Sequence, residues 1–376
     1  MVFCMPQPLY AILEVVQQAA PPEMAADWDR IGLQVGDRNA VIETVFITLD
    51  VNRESLGRAA QNSAGLVIAH HPLIFEPLRQ IDFNSSPGCE IATLIRHRMA
   101  LFIAHTNVDA SPRLSMNRSL GELLELQDIQ MSAAPFHPPQ MKLVTFVPEA
   151  ALDGVRQGLS KAGAGEIGEY SECSFTTQGV GTFRGSQQSN PVIGSRGQLE
   201  KVPEARLEMI FPKKKIDSVL AALLQAHPYE EAAYDLYELS GYHSEKHFLW
   251  KGELDQEIPL EDFAARVRKT IGRGEAPVRF AGDPKRKVKK ISWCSGGGKS
   301  LIRQLNASTT DVYVTGDTGH HDALNCLEKG ICLVDVDHFY TERFFISNMA
   351  LYLREVFNDT KLRVLEDEPQ PVYRGV

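Results

Sequence analysis

Short runs of consecutive apolar, β-branched-rich residues recur at 45–51, 66–70 and 101–105, each closed by polar or turn-forming residues. Such runs predict strands buried on both faces, the signature of a sheet with helices above and below it. The intervening stretches have helical spacing. Asn52 is placed to cap a helix running to about residue 62, and residues 88–99 carry Ile91, Leu94 and Ile95 on one stripe. The same alternation returns late in the chain, with strands predicted at 288–294, 311–315 and 331–336 and helices at 300–305, 323–329 and 341–356. Between the two halves the order changes. A strand at 142–147, a helix at 150–162, a glycine-rich strand pair at 170–184, a strand at 206–211, a helix at 216–226 and a strand at 232–239 give a split-βαβ sequence, with a polar loop over 185–197. The fold class expected is therefore α/β. A discontinuous outer domain (1–135 plus 245–376), with a parallel-type sheet and flanking helices, is interrupted by an α+β ferredoxin-like inserted domain at 136–244.

Composition narrows the class. At 376 residues, 43% hydrophobic and 23% charged, the chain has the composition of a globular protein large enough for two cores. No Lys or Arg precedes Arg30, so the apolar start lacks the basic flank of a secretory signal, and no run reaches the ~18 apolar residues of a membrane span. Six scattered cysteines form no C-x-x-C pair and are too few for a disulfide scaffold, which points to reduced thiols and a cytoplasmic location. The net charge of −9 disfavours nucleic acid as a partner. The basic runs Lys213-Lys214-Lys215 and 285–290 read as solvated edges.

The candidate chemistry sits where predicted strands end. His70-His71 close the second, His105 and Asp109 follow the third, and His338 and Glu342 follow the last. Strand C-terminal ends face the ligand crevice of an open α/β sheet, so these imidazoles and carboxylates are expected to converge. His338 and Glu342, four apart, share a face if helical. Two carboxylates meeting at a buried point repel unless a cation lies between them, and imidazole with carboxylate suits borderline divalent metals. Singly, each histidine is more often a satisfied polar group than a ligand; the joint placement carries the metal expectation.

The strings Asp27-Trp28-Asp29, Ala69-His70-His71-Pro72, Ala104-His105-Thr106-Asn107-Val108-Asp109, Thr315-Gly316-Asp317 and His338-Phe339 with Thr341-Glu342 resemble the dinuclear-metal family of GTP cyclohydrolase 1 type 2 homologues, the Ngg-interacting-factor-three-like proteins. The resemblance covers nearly the whole chain. It implies two divalent metal ions per subunit, held by His70, His71, Asp109, His338 and Glu342, with zinc first and manganese, iron, nickel or cobalt also compatible. His70, His71 and His338 would be terminal ligands, and Asp109 and Glu342 bridges. His105 and His321 are the candidates for catalytic proton transfer or for orienting the ligands. Further strings, among them His227-Pro228-Tyr229-Glu230-Glu231, are similar to the long members, whose inserts resemble PII-like folds and cap ring-shaped homohexamers. For His227 and Cys173, lid groups facing the metals compete with a turn residue and a small core residue. Three departures stand out: Arg30 where the family often has Asn, Asp337 where Gly is usual before the histidine, and 112–116 in place of a glycine-containing turn.

Two look-alikes fail on spacing. Gly296-Gly297-Gly298-Lys299-Ser300 ends like a phosphate loop, but its first glycine would fall on Trp293, leaving only an anion at a helix N-terminus as an option. Gly179, Gly181 and Gly185 miss the dinucleotide spacing by one residue. The resemblance implies a metal-dependent hydrolase acting on a purine nucleotide or similar small molecule, with an activated water attacking the imidazole-ring carbon between the nitrogens. A non-enzymatic metal-binding or regulatory scaffold, whose insert senses a small ligand or metal, is the alternative. Nucleic-acid binding through the lysine runs is the third reading.

Overall fold

The computed structural model describes residues 6–131, 139–239, 248–360 and 362–373. The chain divides into two compact units, residues 1–133 with 246–376, and residues 134–245. The domain junctions expected at 135/136 and 244/245 lie outside the described residues.

The larger unit is built on two mixed sheets, where the sequence suggested one parallel-type sheet. In the first, Arg363–Glu366, Thr44–Thr48, Leu66–Ala69 and Ala100–Ile103 run parallel, and Gly32–Val35 closes one edge antiparallel. In the second, Lys287–Trp293, Val312–Thr315 and Cys332–Asp335 are parallel, flanked by the antiparallel strands Arg279–Ala281, Trp250–Pro259 and Gln127–Met131. The central strands are where the apolar runs lie, each one or two residues shorter than predicted except Lys287–Trp293, which keeps its length and starts one residue earlier. Every residue of Leu66–Ala69 is fully buried, because helices cover both faces. Leu9–Ala19 and Phe344–Val356 pack on one face of the first sheet, and Arg53–Gln61 and Gly88–Arg96 on the other. Asn52 caps its helix as expected, its side chain accepting from the amides of Glu54 and Ser55. Ile95 is 61% exposed, so the apolar stripe of Gly88–Arg96 rests on Ile91 and Leu94 alone.

Three further predictions shift. The segment after the glycine run is a 3₁₀ helix, Gly298–Gln304. Two of that run's amides are already taken up, Gly296 by Thr341 Oγ1 and Gly298 by Thr315 Oγ1, which removes the anion cradle. The long C-terminal helix breaks at Arg343 into His338–Glu342 and Phe344–Val356.

In the smaller unit, Gln140–Pro148, Phe175–Arg184, Leu199–Pro212 and Tyr234–Leu239 form an antiparallel sheet, with the fourth strand beside the first, then the third, then the second. The strand pair expected within 170–184 is a single strand. Its partner is Leu199–Pro212, across the polar loop, because a ten-residue strand needs an equally long neighbour to satisfy its amides. Leu152–Lys161 and Ile216–Ala226 cover one face through Val155, Leu159, Val219 and Leu223. Lys213 pairs with Glu238 and Lys215 with Glu166, so these basic residues are met locally by carboxylates.

Candidate metal centre

Six strand ends of the larger unit supply one cluster. Asp50 follows Thr44–Thr48, His70 and His71 follow Leu66–Ala69, and His105 follows Ala100–Ile103. The one-turn helix Thr106–Asp109 then delivers Asp109. From the second sheet, Gly296 follows Lys287–Trp293, Asp317 follows Val312–Thr315, and the short helix His338–Glu342 follows Cys332–Asp335.

Glu342, 4% exposed, is the hub. Its Oε2 lies 2.9 Å from His71 Nε2 and 2.7 Å from His338 Nε2, and its Oε1 lies 3.6 Å from His70 Nε2. Asp109 Oδ1 sits 3.9 Å from His70 Nε2. The four-residue spacing of His338 and Glu342 thus places both on one face, as expected. All five residues assigned as ligands from the resemblance are brought together, and the structure adds His105. Its ring groups with those of His70 and His71, and a second donor group joins His71, His338 and Glu342, the ligand atoms of each lying within 4.8 Å of one another. His321 does not join them. It is exposed on the first turn of His320–Glu328, with its ring against His320. In the smaller unit, His227 bonds the Phe146 carbonyl through Nε2 and Cys173 Sγ lies 3.8 Å from the Ser171 carbonyl.

Every histidine of the cluster is held from behind. His70 Nδ1 donates to the Ala104 carbonyl at 3.0 Å; His71 Nδ1 meets Asp50 at 2.8 Å, His105 Nδ1 meets Asp29 at 2.9 Å, and His338 Nδ1 meets Asp317 at 2.7 Å. An acceptor behind Nδ1 fixes the proton there and turns the Nε2 lone pair inward, the arrangement of metal-ligating imidazoles. His70 Nε2 is buried with no hydrogen-bond partner in the protein, although Glu342 and Asp109 oxygens lie 3.6 and 3.9 Å away, while His338 Nε2 is held against Glu342 Oε2 at 2.7 Å. A lone pair facing a carboxylate is repulsive without a cation between, so the donor set fits a metal.

The electrostatics agree. Burial alone would lower His71, yet Glu342 and Asp50 push it up to about 10; burial likewise opposes His338, which Glu342 and Asp317 raise to about 9. Burial raises Glu342, but His71 and His70 overcome it and hold the carboxyl well below its usual range. Burial, with Glu342 adding to it, pushes Asp109 up. Without metal, protons fill the place of cations. Behind His105, burial would raise Asp29, but hydrogen bonds from His105 and Thr106 hold it down to about 2, a permanent anion.

Four groups of the centre were not singled out by sequence. Asp29 and Asp317 stand inside the family-like strings without an assigned role, and Asp50 ends the first apolar run, so position alone pointed to all three. Gly296 belongs to the phosphate-loop look-alike that fails on spacing. It adopts φ +64°, and a Cβ there would strike Glu342 Oε1 and lie 3.2 Å from His338 Nε2. Its lack of a side chain keeps the centre open.

Asp337 explains one departure. Its φ is +68°, the left-handed region that favours glycine, and its carboxylate caps the following helix through the Phe339 amide at 3.0 Å. Asp337→Gly is expected to stay within about 0.5 kcal/mol of wild type, trading the cap for backbone ease, whereas Asp337→Ala loses both and costs about 2 kcal/mol in urea unfolding.

Similarity to known proteins agrees with this geometry. The profile of Duf34/NIF3 (NGG1p interacting factor 3) matches residues 8–371. The GTP cyclohydrolase 1 type 2 homolog of Bacillus subtilis (strain 168) is 37% identical over 353 residues, 94% of each chain. That of Mycobacterium tuberculosis is 35% identical over 349 residues, 92% of this chain and 91% of the relative. Among solved structures, a Bacillus cereus protein related to NIF3 superimposes with a TM-score of 0.77 at 33% identity, covering 97% of this chain and 98% of that one. Staphylococcus aureus protein SA1388 gives 0.75 at 26%, covering 98% and 97%. The mixed α/β architecture with several sheets is common to them. Among the described residues, no helix is long and apolar enough to cross a membrane.

Proposed function

Since the chain belongs to the Duf34/NIF3 family, we propose that it binds two divalent metal ions, zinc first among them, and acts as a metal-dependent hydrolase on a purine nucleotide or similar small molecule. One observation carries the reading: His70 Nε2 is buried, unpartnered and aimed at the Glu342 and Asp109 carboxylates. Glu342 is suited to bridge, since its Oε1 lies toward His70 while its Oε2 lies toward His71 and His338. Bound divalent cations supply Lewis acidity and bring the ionisation of a water down to about pH 7.

The protein's own part is positioning. Asp50, Asp29, Asp317 and the Ala104 carbonyl hold four imidazoles in one tautomer, so their lone pairs need no reorganisation when charge develops in the crevice. His105, backed by the Asp29 anion, is the best-placed proton carrier if its ring is not itself a ligand. The name carried by the relatives, GTP cyclohydrolase 1 type 2 homolog, supports the purine nucleotide as substrate. The strand order of the smaller unit supports reading it as PII-like, and the assembly proposed is a homohexamer.

The test pairs elemental analysis with turnover. Wild-type protein is expected to carry about two ions per chain and to hydrolyse GTP or a related purine nucleotide, and His71→Ala to lose both. Metal without turnover would favour the scaffold reading, and full metal in His71→Ala would remove the centre. Metal uptake should also depend on pH. His71 and His338, at about 10 and about 9, are protonated at pH 7 and must release protons to bind. Affinity is therefore expected to rise about a hundredfold per pH unit from 7 toward 9, two protons leaving per event. Calorimetric titration in buffers of different ionisation enthalpy counts those protons directly.

A further inference from the structure

The smaller unit has its own cavity, on the sheet face opposite its two helices. It measures about 910 Å³ and is walled on one side by the strands and on the other by the polar loop over 185–193. That volume lies within the range of small-molecule sites. The loop is a built wall: the Asn190 amide donates to Glu230 Oε2 at 2.8 Å and the Gly197 amide to the Gly185 carbonyl at 2.7 Å.

One lining group is out of place in such a setting. Glu204 is 7% exposed, and its Oε1 accepts a hydrogen bond from the neutral Tyr229 hydroxyl at 2.7 Å. Among the described residues no Lys or Arg forms an ion pair with it. Arg206, on the same strand and in the same lining, is spent on Glu208 at 2.8 Å and lies over the Phe146 ring at 5.8 Å. The strand beside Glu204 leaves it room: Gly181 has no side chain, and a Cβ there would strike Glu204 Oε2. Around the carboxylate stand Phe146, Phe183 and Tyr229, the last two with ring centroids 6.2 Å apart. His227 fixes the turn that presents Tyr229, its Nε2–H donating to the Phe146 carbonyl and its Nδ1 accepting the Tyr229 amide. The string His227-Pro228-Tyr229-Glu230-Glu231 thereby finds a physical role.

We propose that this pocket binds a small organic cation, an amine or quaternary ammonium, with Glu204 as its counter-charge and Phe146, Phe183 and Tyr229 as its aromatic walls. A carboxylate removed from water and lacking a cation is costly, and an ammonium against ring faces offsets that cost. The donors at Glu204 favour an organic cation over a metal ion, since the one buried carboxylate and one phenol there lack the several oxygen or imidazole ligands that a divalent ion needs; Glu230 and Glu231, also in the lining, are exposed, and Glu230 accepts from the Asn190 amide. The inference is independent of the metal centre, which lies wholly in the larger unit.

Calorimetry on the full-length protein decides it, with benzyltrimethylammonium as the probe and benzyl alcohol and benzoate as neutral and anionic counterparts. The cation is expected to bind at least about tenfold more tightly than the alcohol, and benzoate not at all. Glu204→Gln should weaken the cation at least about tenfold and leave the alcohol unchanged, whereas Gly181→Ala, which crowds the carboxylate, should weaken both. Thermal melts and metal content serve as folding controls for each variant. Equal affinity for cation and alcohol, an unchanged cation affinity in Glu204→Gln, or no saturable binding of the cation would overturn the proposal, the last pointing to a face covered by protein in solution.

Discussion

Glu342→Gln is expected to purify with less than half the metal of the wild type and to bind added zinc at least a hundredfold more weakly. The substitution keeps the shape of the side chain and removes one charge, yet that charge faces three imidazoles within 3.6 Å. Losing a group behind a ligand costs roughly 10–100-fold in metal affinity, and Glu342 stands at the centre of the donor set. Asp317→Asn, which touches only the far side of His338, serves as the milder comparison. A second effect accompanies the first. In the metal-free protein, Glu342 is the counter-charge for the protonated His71 and His338, and removing one partner of a buried pair costs about 3–5 kcal/mol. Elemental analysis and urea unfolding read the two effects separately. Undiminished metal content in Glu342→Gln would show that the cations lie elsewhere.

Gly296→Ala should empty the centre while every donor stays in the chain. The added methyl would collide with Glu342 Oε1 and crowd His338 Nε2, and the residue would also have to keep φ +64°. Backbone incompatibility of this kind costs more than the ~1 kcal/mol that separates alanine from glycine elsewhere. Metal affinity is expected to fall about as far as in Glu342→Gln, with a loss of about 2–3 kcal/mol in stability. Gly297→Ala is the control, since the nearest atom to a Cβ there is 3.6 Å away. If both alanine variants retain full metal, the glycine run has no part in shaping the site.

The parts of the molecule legible in the sequence share one property: their signal is local. Leu66–Ala69 and Val312–Thr315 read as buried strands because four consecutive, largely apolar residues leave few other options, and residues just past the end of such a strand fall in the crevice. That is why His70, His71, His105 and His338 could be named together. Asp109 and Glu342 were named with them by position, and family resemblance then selected the five ligands from that set. The hidden features depend on distant partners. Gly32–Val35 has only partly buried residues and pairs with a strand about seventy positions away, and Arg363–Glu366 joins the first sheet beside Thr44–Thr48, from the far end of the chain. The division into two sheets lies in such pairings. His321 was misleading because it lies four positions after Asp317, which does reach the cluster; the helix starting at His320 leaves its side chain exposed. Gly296 was judged by a motif it fails to match, when the relevant question was what a side chain there would touch.

His71 and Glu342 are 271 positions apart, and the inserted unit is threaded between them. A nascent chain therefore carries its paired histidines exposed to the cell long before their acidic counterpart has been made. On the proposed reading, cation capture would belong to the last stage of synthesis, after His338 and Glu342 have been made. Of the five proposed ligands, an ion bound earlier would have only His70, His71 and Asp109, and would be exchanged when His338 and Glu342 arrive.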